Sequence, residues 1–204
     1  MTLLWSGPDG GPLLVLAHGA GAPMDSPFMQ AIASLLAAEG VRVARFEFAY
    51  MAGRRTDGRK RPPSPKPALI AEFLAVLESL PKPLFVGGKS LGSRIACEAA
   101  IARRDAVKGI VCLGFPFHPP GHPEKERDEL LRTAPIPSLV VQGESDPFGT
   151  RAEAASLKIP KSASLEWIIE ANHDLVPPKR TGVSRDEAWR QAAIAIAAFC
   201  RQHR

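Results

Sequence analysis

At 204 residues, with 45% apolar and 23% charged side chains, the chain is long enough to bury one substantial core and has the balance of an ordinary soluble protein. No apolar run approaches ~18 residues, which excludes a transmembrane helix, and Met1 to Gly10 has neither the basic start nor the long apolar stretch of a secretory signal. The net charge of +5 is local: residues 54–66 hold six basic residues and one acidic, leaving 20 of each sign elsewhere, so no nucleic-acid-binding face across the whole protein is expected.

In chain order, Thr2–Trp5 reads as a short edge strand and Ser6 to Pro12 as a turn cluster. Leu13–Ala17 is a continuous apolar run, the pattern of a strand covered on both faces. It ends in a loop of small residues, His18-Gly19-Ala20-Gly21-Ala22-Pro23. Ser26 and Pro27 read as the N-cap and first position of a helix running to Glu39, stopped by Gly40. Val41–Phe46 is the next strand; it leads through Glu47–Met51 into the basic, proline-rich loop. Ala68–Leu80 is helical, with Leu69, Phe73, Val76, Leu77 and Leu80 on one face. Strands follow at Leu84–Val86, Val107–Leu113, Ser138–Gln142 and Leu165–Ile169, and helices at Leu91–Ala102, Glu124–Arg132, Thr150–Leu157 and Arg185–Gln202. Phe115 to Pro123 is a stiff, irregular loop.

Strands that alternate with helices and are mostly apolar imply an α/β fold: a mostly parallel sheet of about seven strands with helices on both faces, in one domain over 1–204. Cys97, Cys112 and Cys200 are far apart and odd in number, with two in helical patterns and one in a strand pattern. They read as small buried apolar residues in a reducing compartment, so a cytoplasmic location is expected.

The stretch around which the chain is organised is Leu84 to Gly92. An apolar run stops at two glycines and a helical pattern begins at once; between them Gly88-Lys89-Ser90-Leu91-Gly92 fits the G-x-S-x-G nucleophile elbow. To hold a serine hydroxyl above the end of a sheet, the chain must turn from strand to helix in almost no residues, and small residues two before and two after the serine leave room for that turn. The following helix aims its N-terminus at the site, where its dipole and free N–H groups favour a developing oxyanion. A phosphate-binding loop is the rival reading of Gly88-Lys89-Ser90. It requires glycine at position 83, which is Pro83, and a loose loop where Leu84, Phe85 and Val86 read as strand.

A serine hydroxyl needs a base to take its proton, and the base needs an orienting acid. In sheets of this kind the partners follow in the order Ser, Asp/Glu, His, past the ends of later strands. Asp146 follows the strand at 138–142 and His173 the strand at 165–169. Glu144 is a rival acid; Asp146 is preferred because the loop must leave the sheet edge to reach a histidine. The oxyanion hole is expected from Leu91 N–H and, in the His18–Gly21 loop, Ala20 N–H, with His18 ordering that loop. Phe115, His118 and Met24 are the expected substrate-pocket residues. His118 and His122 lack a third ligand or helical support, so no metal is expected.

These residues carry a resemblance. The chain resembles the α/β-hydrolases and, more narrowly, a small lidless group of predicted hydrolases related to testis-expressed and chromatin-complex hydrolase-like proteins. The matching stretches are His18-Gly-Ala-Gly-Ala-Pro-Met-Asp25, Gly87-Gly-Lys-Ser-Leu-Gly-Ser-Arg94, Phe115-Pro-Phe-His-Pro-Pro-Gly121, Gln142-Gly-Glu-Ser-Asp-Pro-Phe-Gly149 and Asn172-His173; Ser93 stands where glycine is the expected residue. The resemblance implies a Ser90–Asp146–His173 triad in a minimal domain without a cap; it does not imply a substrate. From the residues themselves no cofactor is expected, and a small-molecule acyl substrate is. The expected function is hydrolysis of small carboxylic esters or thioesters; the rival is a non-catalytic interaction protein on the same scaffold. For the basic loop two readings stand, a solvated segment without a partner or a gate that attracts anionic groups.

Overall fold

The structure is a computed structural model, and it describes residues 2–127, 129–134, 136–154 and 159–204. Seven strands among them form one sheet: β1 (Leu4–Ser6), β2 (Leu13–Ala17), β3 (Arg42–Phe46), β4 (Leu84–Lys89), β5 (Val107–Leu113), β6 (Ser138–Gly143) and β7 (Ala163–Ile168). Their order is β1-β3-β2-β4-β5-β6-β7, with β1 antiparallel to β3 and every other pairing parallel. The helices are α1 (Pro27–Ala38), α2 (Ala49–Asp57), α3 (Lys66–Glu78), α4 (Leu91–Ala102), α5 (Glu129–Thr133) and α6 (Arg185–Gln202).

Side chains alternate across each strand, and both sides are covered, which is why the strands read as unbroken apolar runs. In β2, Val15 and Ala17 join Phe46, Phe73 and Ile95 in the layer under α3 and α4, whereas Leu14 and Leu16 join Ile32, Leu36 and Ile196 in the layer under α1 and α6. Phe46 is the hub of the first layer, with the rings of Phe48 and Phe73 each 5.0 Å away, edge to face. Truncating Phe73 to alanine would cost roughly 3–5 kcal/mol. Among the described residues no helix is long and apolar enough to cross a membrane.

Three expected elements differ. Residues 49–57, read as the end of the Glu47–Met51 lead and the start of the basic loop over 54–66, form α2: Tyr50 and Met51 are buried on its inner side, and Gly58, in the left-handed conformation at φ 70°, closes it by donating to Arg54 O. The helix expected over Glu124–Arg132 is one turn at Glu129–Thr133, because the prolines before it leave an irregular chain. The helix expected over Thr150–Leu157 begins as a 3-10 turn, Arg151–Glu153, behind a Thr150/Glu153 capping box; residues 155–158 lie outside the described set.

Chain order places the site. β2 is followed by β3 on one side and, after a crossover, by β4 on the other, so the strand order reverses between β2 and β4. The crevice past their C-terminal ends is where ligands bind in open sheets of this class. The His18–Pro23 loop leaves β2 there, and Ser90 follows β4.

Candidate active site

Ser90 sits between the last residue of β4 and the first of α4 with φ 54° and ψ −113°. Such a backbone costs about 1–3 kcal/mol and persists only where the surroundings over-determine it. Here they do. Ser90 N–H donates to Leu113 O at 2.9 Å, and Ser90 O accepts from Ser93 N–H at 3.0 Å and from the Ser93 hydroxyl at 2.6 Å. Ser93, the departure from glycine, is thus fully buried and ties the elbow down. The two motif glycines are sterically required: a Cβ at Gly88 would lie 2.3 Å from Gly92 C, and one at Gly92 would lie 2.6 Å from His18 O. Leu91 is the first residue of α4, so its N–H has no carbonyl one turn back within the helix.

The loop after β2 is held from behind. His18 is buried; Nδ1 lies 2.7 Å from Gly19 O and Nε2 lies 3.1 Å from Phe48 N. The backbone N–H must donate, so Nε2 is the acceptor and Nδ1 carries the hydrogen given to Gly19 O. Burial lowers the His18 pKa from its usual 6.5, favouring this neutral form. The Tyr50 hydroxyl lies 3.3 Å from Gly19 O and 3.2 Å from Ala20 O, and burial raises its pKa to about 12, keeping it a donor. In a trans peptide the N–H points opposite to the carbonyl. Gly19 O is drawn back toward His18 and Tyr50, so Ala20 N–H faces the other way, and Ala20 lines the cleft with Ser90. Further along the loop, buried Glu47 accepts from Met24 N–H at 3.2 Å and pairs through Oε2 with Arg55 Nε at 2.6 Å, while Arg45 donates to Met24 O at 3.0 Å.

Across the cleft, His173 Nδ1 lies 2.8 Å from Asp146 Oδ2; the imidazole is 21% exposed and the carboxylate fully buried. Asp146 Oδ1 accepts from Phe148 N–H at 2.9 Å, and Oδ2 also accepts from Gln142 Nε2 at 2.9 Å. An ionised carboxylate can only accept, so the hydrogen lies on His173 Nδ1 and the lone pair on Nε2. Gln142 gives the same amide nitrogen to Phe115 O and Gly149 O, both at 3.2 Å; its Oε1 is buried without a hydrogen bond among the described residues. The rival acid Glu144 faces away: Oε2 accepts Glu170 N–H at 2.9 Å and Oε1 pairs with Arg151, which together lower its pKa.

The His173 loop approaches closely because the facing positions are glycines. A Cβ at Gly114, at φ 61°, would lie 2.9 Å from His173 O, and one at Gly143 would lie 2.3 Å from Ala171 O. Asn172 Oδ1 accepts from the N–H groups of Asp174 (2.9 Å) and Val176 (3.1 Å), and the Trp189 indole donates to Asp174 O at 2.9 Å. The Phe148 ring lies against His173, 4.4 Å between centroids.

Ser90, His173 and Ala20 therefore line one cleft of about 350 Å³, with Phe28, Met29, Phe148, Lys89 and Asp174 among its other walls. Asp146 stands behind His173. The expected pocket residues are elsewhere: Phe115 is fully buried against Phe117, His118 is buried with Nε2 3.4 Å from Glu153, and Met24 is buried behind the loop; none of the three lines the cleft. Phe28 and Met29 were missed because an apolar residue in the first turn of a helix reads as core. Gln142 was within reach as a polar residue ending an otherwise apolar strand, four residues before the acid.

Residues 11–201 match a family model described as an alpha/beta hydrolase domain. Among solved structures, Est1E from Butyrivibrio proteoclasticus with ferulic acid bound superposes with a TM-score of 0.73 at 16% identity, covering 99% of this chain and 94% of that one. A dienelactone hydrolase from Anabaena variabilis gives 0.70 at 22%, covering 98% and 89%. A monoacylglycerol lipase from Paleococcus ferrophilus gives 0.70 at 16%, covering 100% and 99%.

Proposed function

The chain belongs to the α/β-hydrolase family, and on that premise we propose that it is a serine hydrolase cleaving small carboxylic esters or thioesters through an acyl-enzyme on Ser90. The observation that carries the proposal is the His173–Asp146 pair at 2.8 Å in the wall of the cleft that also exposes a strained Ser90 at the elbow. Strain of this kind is maintained where it presents a reacting group.

In this reading His173 Nε2 takes the Ser90 proton as Oγ attacks the acyl carbonyl. The tetrahedral oxyanion accepts from Leu91 and Ala20 N–H, a pair of fixed donors of the sort that contributes about 10²–10³ in rate each. Asp146, held by Gln142 and Phe148, keeps the imidazole in the required tautomer and stabilises its charged form. His173 then protonates the departing alcohol or thiol, and water, activated by the same nitrogen, releases the acid. Esters and thioesters fit best because their leaving groups need little help. A cleft of about 350 Å³ is near the lower end of the ~300–1,000 Å³ of ligand sites, which favours compact acyl groups. The activities named for the structural neighbours, among them a dienelactone hydrolase and a monoacylglycerol lipase, are in keeping with this class.

The test is fluorophosphonate labelling followed by turnover of a panel of acyl esters and thioesters. Modification of Ser90, with higher kcat/KM for short than for long acyl chains, is the expected result. An unlabelled Ser90 with no turnover would leave the interaction-protein reading in its place.

A further inference from the structure

The residue before the nucleophile is Lys89, and its side chain is in the cleft rather than in solvent. It is 8% exposed, at the end of β4, and lines the same space as Ser90 and His173. An ammonium withdrawn from water is costly unless it is paired. Among the described residues its ion-pair partner is Asp174, with Oδ1 at 3.3 Å, and the face of the Phe28 ring lies 5.6 Å away. An ammonium has three hydrogens to give, and one exposed carboxylate does not saturate them.

The partner is unevenly held. The backbone of Asp174 is fixed through Asn172 and Trp189, but its carboxylate is 66% exposed. Released from Lys89, it would lose little, because most of it is already in water and an ion pair at an exposed carboxylate is worth at most about 1 kcal/mol. Lys89 cannot do the same: burial already lowers its pKa, with Asp174 opposing the shift, so an unpaired ammonium there is disfavoured. The pair is therefore a buried cation holding a replaceable anion at the wall of a reaction cleft.

We propose that Lys89 is a specificity-determining residue that receives a carboxylate carried by the substrate's own acyl group, in exchange for Asp174. The substrate class is the half-ester or half-thioester of a short dicarboxylic acid. This inference rests on the reading of Ser90 as the acylated residue. Exchange replaces one carboxylate by another around the same cation, so the charge balance of the buried site is kept while the incoming ligand gains a fixed orientation. The geometry limits the spacer. Lys89 and Ser90 line the same cleft of about 350 Å³, so a carbonyl at Ser90 and a carboxylate at Lys89 call for a short link, of about two to four carbons, in keeping with the lower end of ligand-site volumes.

The test compares monoethyl glutarate with its neutral amide isostere, ethyl 4-carbamoylbutanoate, reading the ratio of their kcat/KM values. The wild type is expected to favour the anion by about tenfold, and Lys89→Met to lower that ratio by about tenfold, with Lys89→Arg retaining part of it. Asp174→Asn removes the competing carboxylate and should raise the ratio about threefold or more; in the Lys89→Met/Asp174→Asn double variant that rise should be absent. Asp174 is exposed, so its variant carries the test even if Lys89→Met does not fold. A wild-type ratio of one or less overturns the proposal. So does an equal loss on both esters in Lys89→Met, which would make the pair a latch for the His173 loop. A rise with Asp174→Asn that survives without Lys89 overturns it as well, since it would report only the general field of the cleft. Fluorophosphonate labelling of the same samples separates the two levels: labelled Ser90 without preference for, or turnover of, the half-ester defeats this inference alone, whereas unlabelled Ser90 defeats the hydrolase reading beneath it.

Discussion

The two walls of the cleft are built differently. The wall after β2 is fixed from the inside: His18 and Tyr50 hold the Gly19 and Ala20 carbonyls, and Glu47 with Arg45 holds Met24 from a buried position. The wall after β7 is fixed by the buried Asp146 and the buried Trp189 indole, and otherwise by exposed groups, an Asn172 turn and the Asp174 carboxylate. Donors that must meet an oxyanion gain from immobility, since reorganising them would add to the barrier. A histidine that accepts a proton and then returns it must be oriented but not encased. On this comparison, damage to the β2 wall should appear in kcat with little change in KM, and damage to the β7 wall should depend on whether the buried acid or an exposed prop is removed.

The largest effects are expected where the walls meet. Ser90→Ala and His173→Ala should each lower kcat/KM by about 10⁴-fold or more, and the double variant by hardly more than either, because the members act as a unit. Circular dichroism should show an unchanged fold. Retained turnover in purified Ser90→Ala would remove the acyl-enzyme from the mechanism.

The next effect tests the fully buried acid of the β7 wall against its partly buried neighbour, Glu144. Asp146→Asn keeps the shape but presents the wrong partner to His173 Nδ1, and should lower kcat by about 10⁴-fold. Glu144→Gln removes a carboxylate bound to Arg151 and the Glu170 N–H, whereas His173 Nδ1 is held by Asp146, and should change kcat by less than about tenfold. The reverse ranking would show that Glu144 is the working acid.

Much of this was legible in the sequence, for a physical reason. A parallel sheet buried on both faces writes its strands as apolar runs, and ligand-binding loops leave such a sheet at the strand ends, here Ala17, Lys89, Gly143 and Ile168. The seven strands follow from that rule, and so does the placing of Ser90, Asp146 and His173 past the ends of β4, β6 and β7; the strand order, and with it the reversal point, does not. What was hidden depends on where side chains point. α2 was hidden because its arginines outweigh Tyr50 and Met51; the closing signal was Gly58, whose left-handed backbone ends the helix. The cleft walls were misassigned because Phe115 and Phe28 look alike in sequence, whereas the first is fully buried with its ring against Phe117 and the second reaches the cleft from the first turn of α1. Lys89 is conspicuous as a charge inside the elbow, but only the fold shows that it is buried.

A smaller effect tests the rigidity of the β2 wall. Tyr50→Phe removes the hydroxyl behind Gly19 and Ala20 and should lower kcat about tenfold with KM little changed. His18→Gln should cost about 1–3 kcal/mol of stability through lost buried hydrogen bonds. It also alters the pH dependence. Burial lowers the folded pKa of His18 from 6.5, so its contribution is complete above that pH and is lost as pH falls from there through the folded value. The melting temperature of the wild type should therefore decline more steeply below pH 6.5 than that of His18→Gln; parallel curves would show that His18 is not the titrating support.

The smallest effect concerns the basic run. Of its six cations, Arg55 is taken by Glu47 and Asp25, Arg61 by Asp57, Lys66 by Glu98, and Arg54 packs on Tyr50 and donates to Arg61 O. This favours the solvated reading of the run: Arg59 and Lys60 remain without an ion pair among the described residues. Charges held at the surface act through solvent and fade over about 8–10 Å at moderate salt, while a buried cation in contact with its ligand is screened far less. The two sources of anion preference therefore separate by salt. If Lys89 provides it, the ratio of kcat/KM for an anionic ester to that for its neutral isostere should change by less than about twofold between low and moderate salt. Arg59→Ser/Lys60→Ser should leave that ratio within the same margin. A preference that collapses with salt and disappears in the double serine variant would place the recognition on the basic run, and would make the exposed segment beside α2, rather than the buried end of β4, the gate to the cleft.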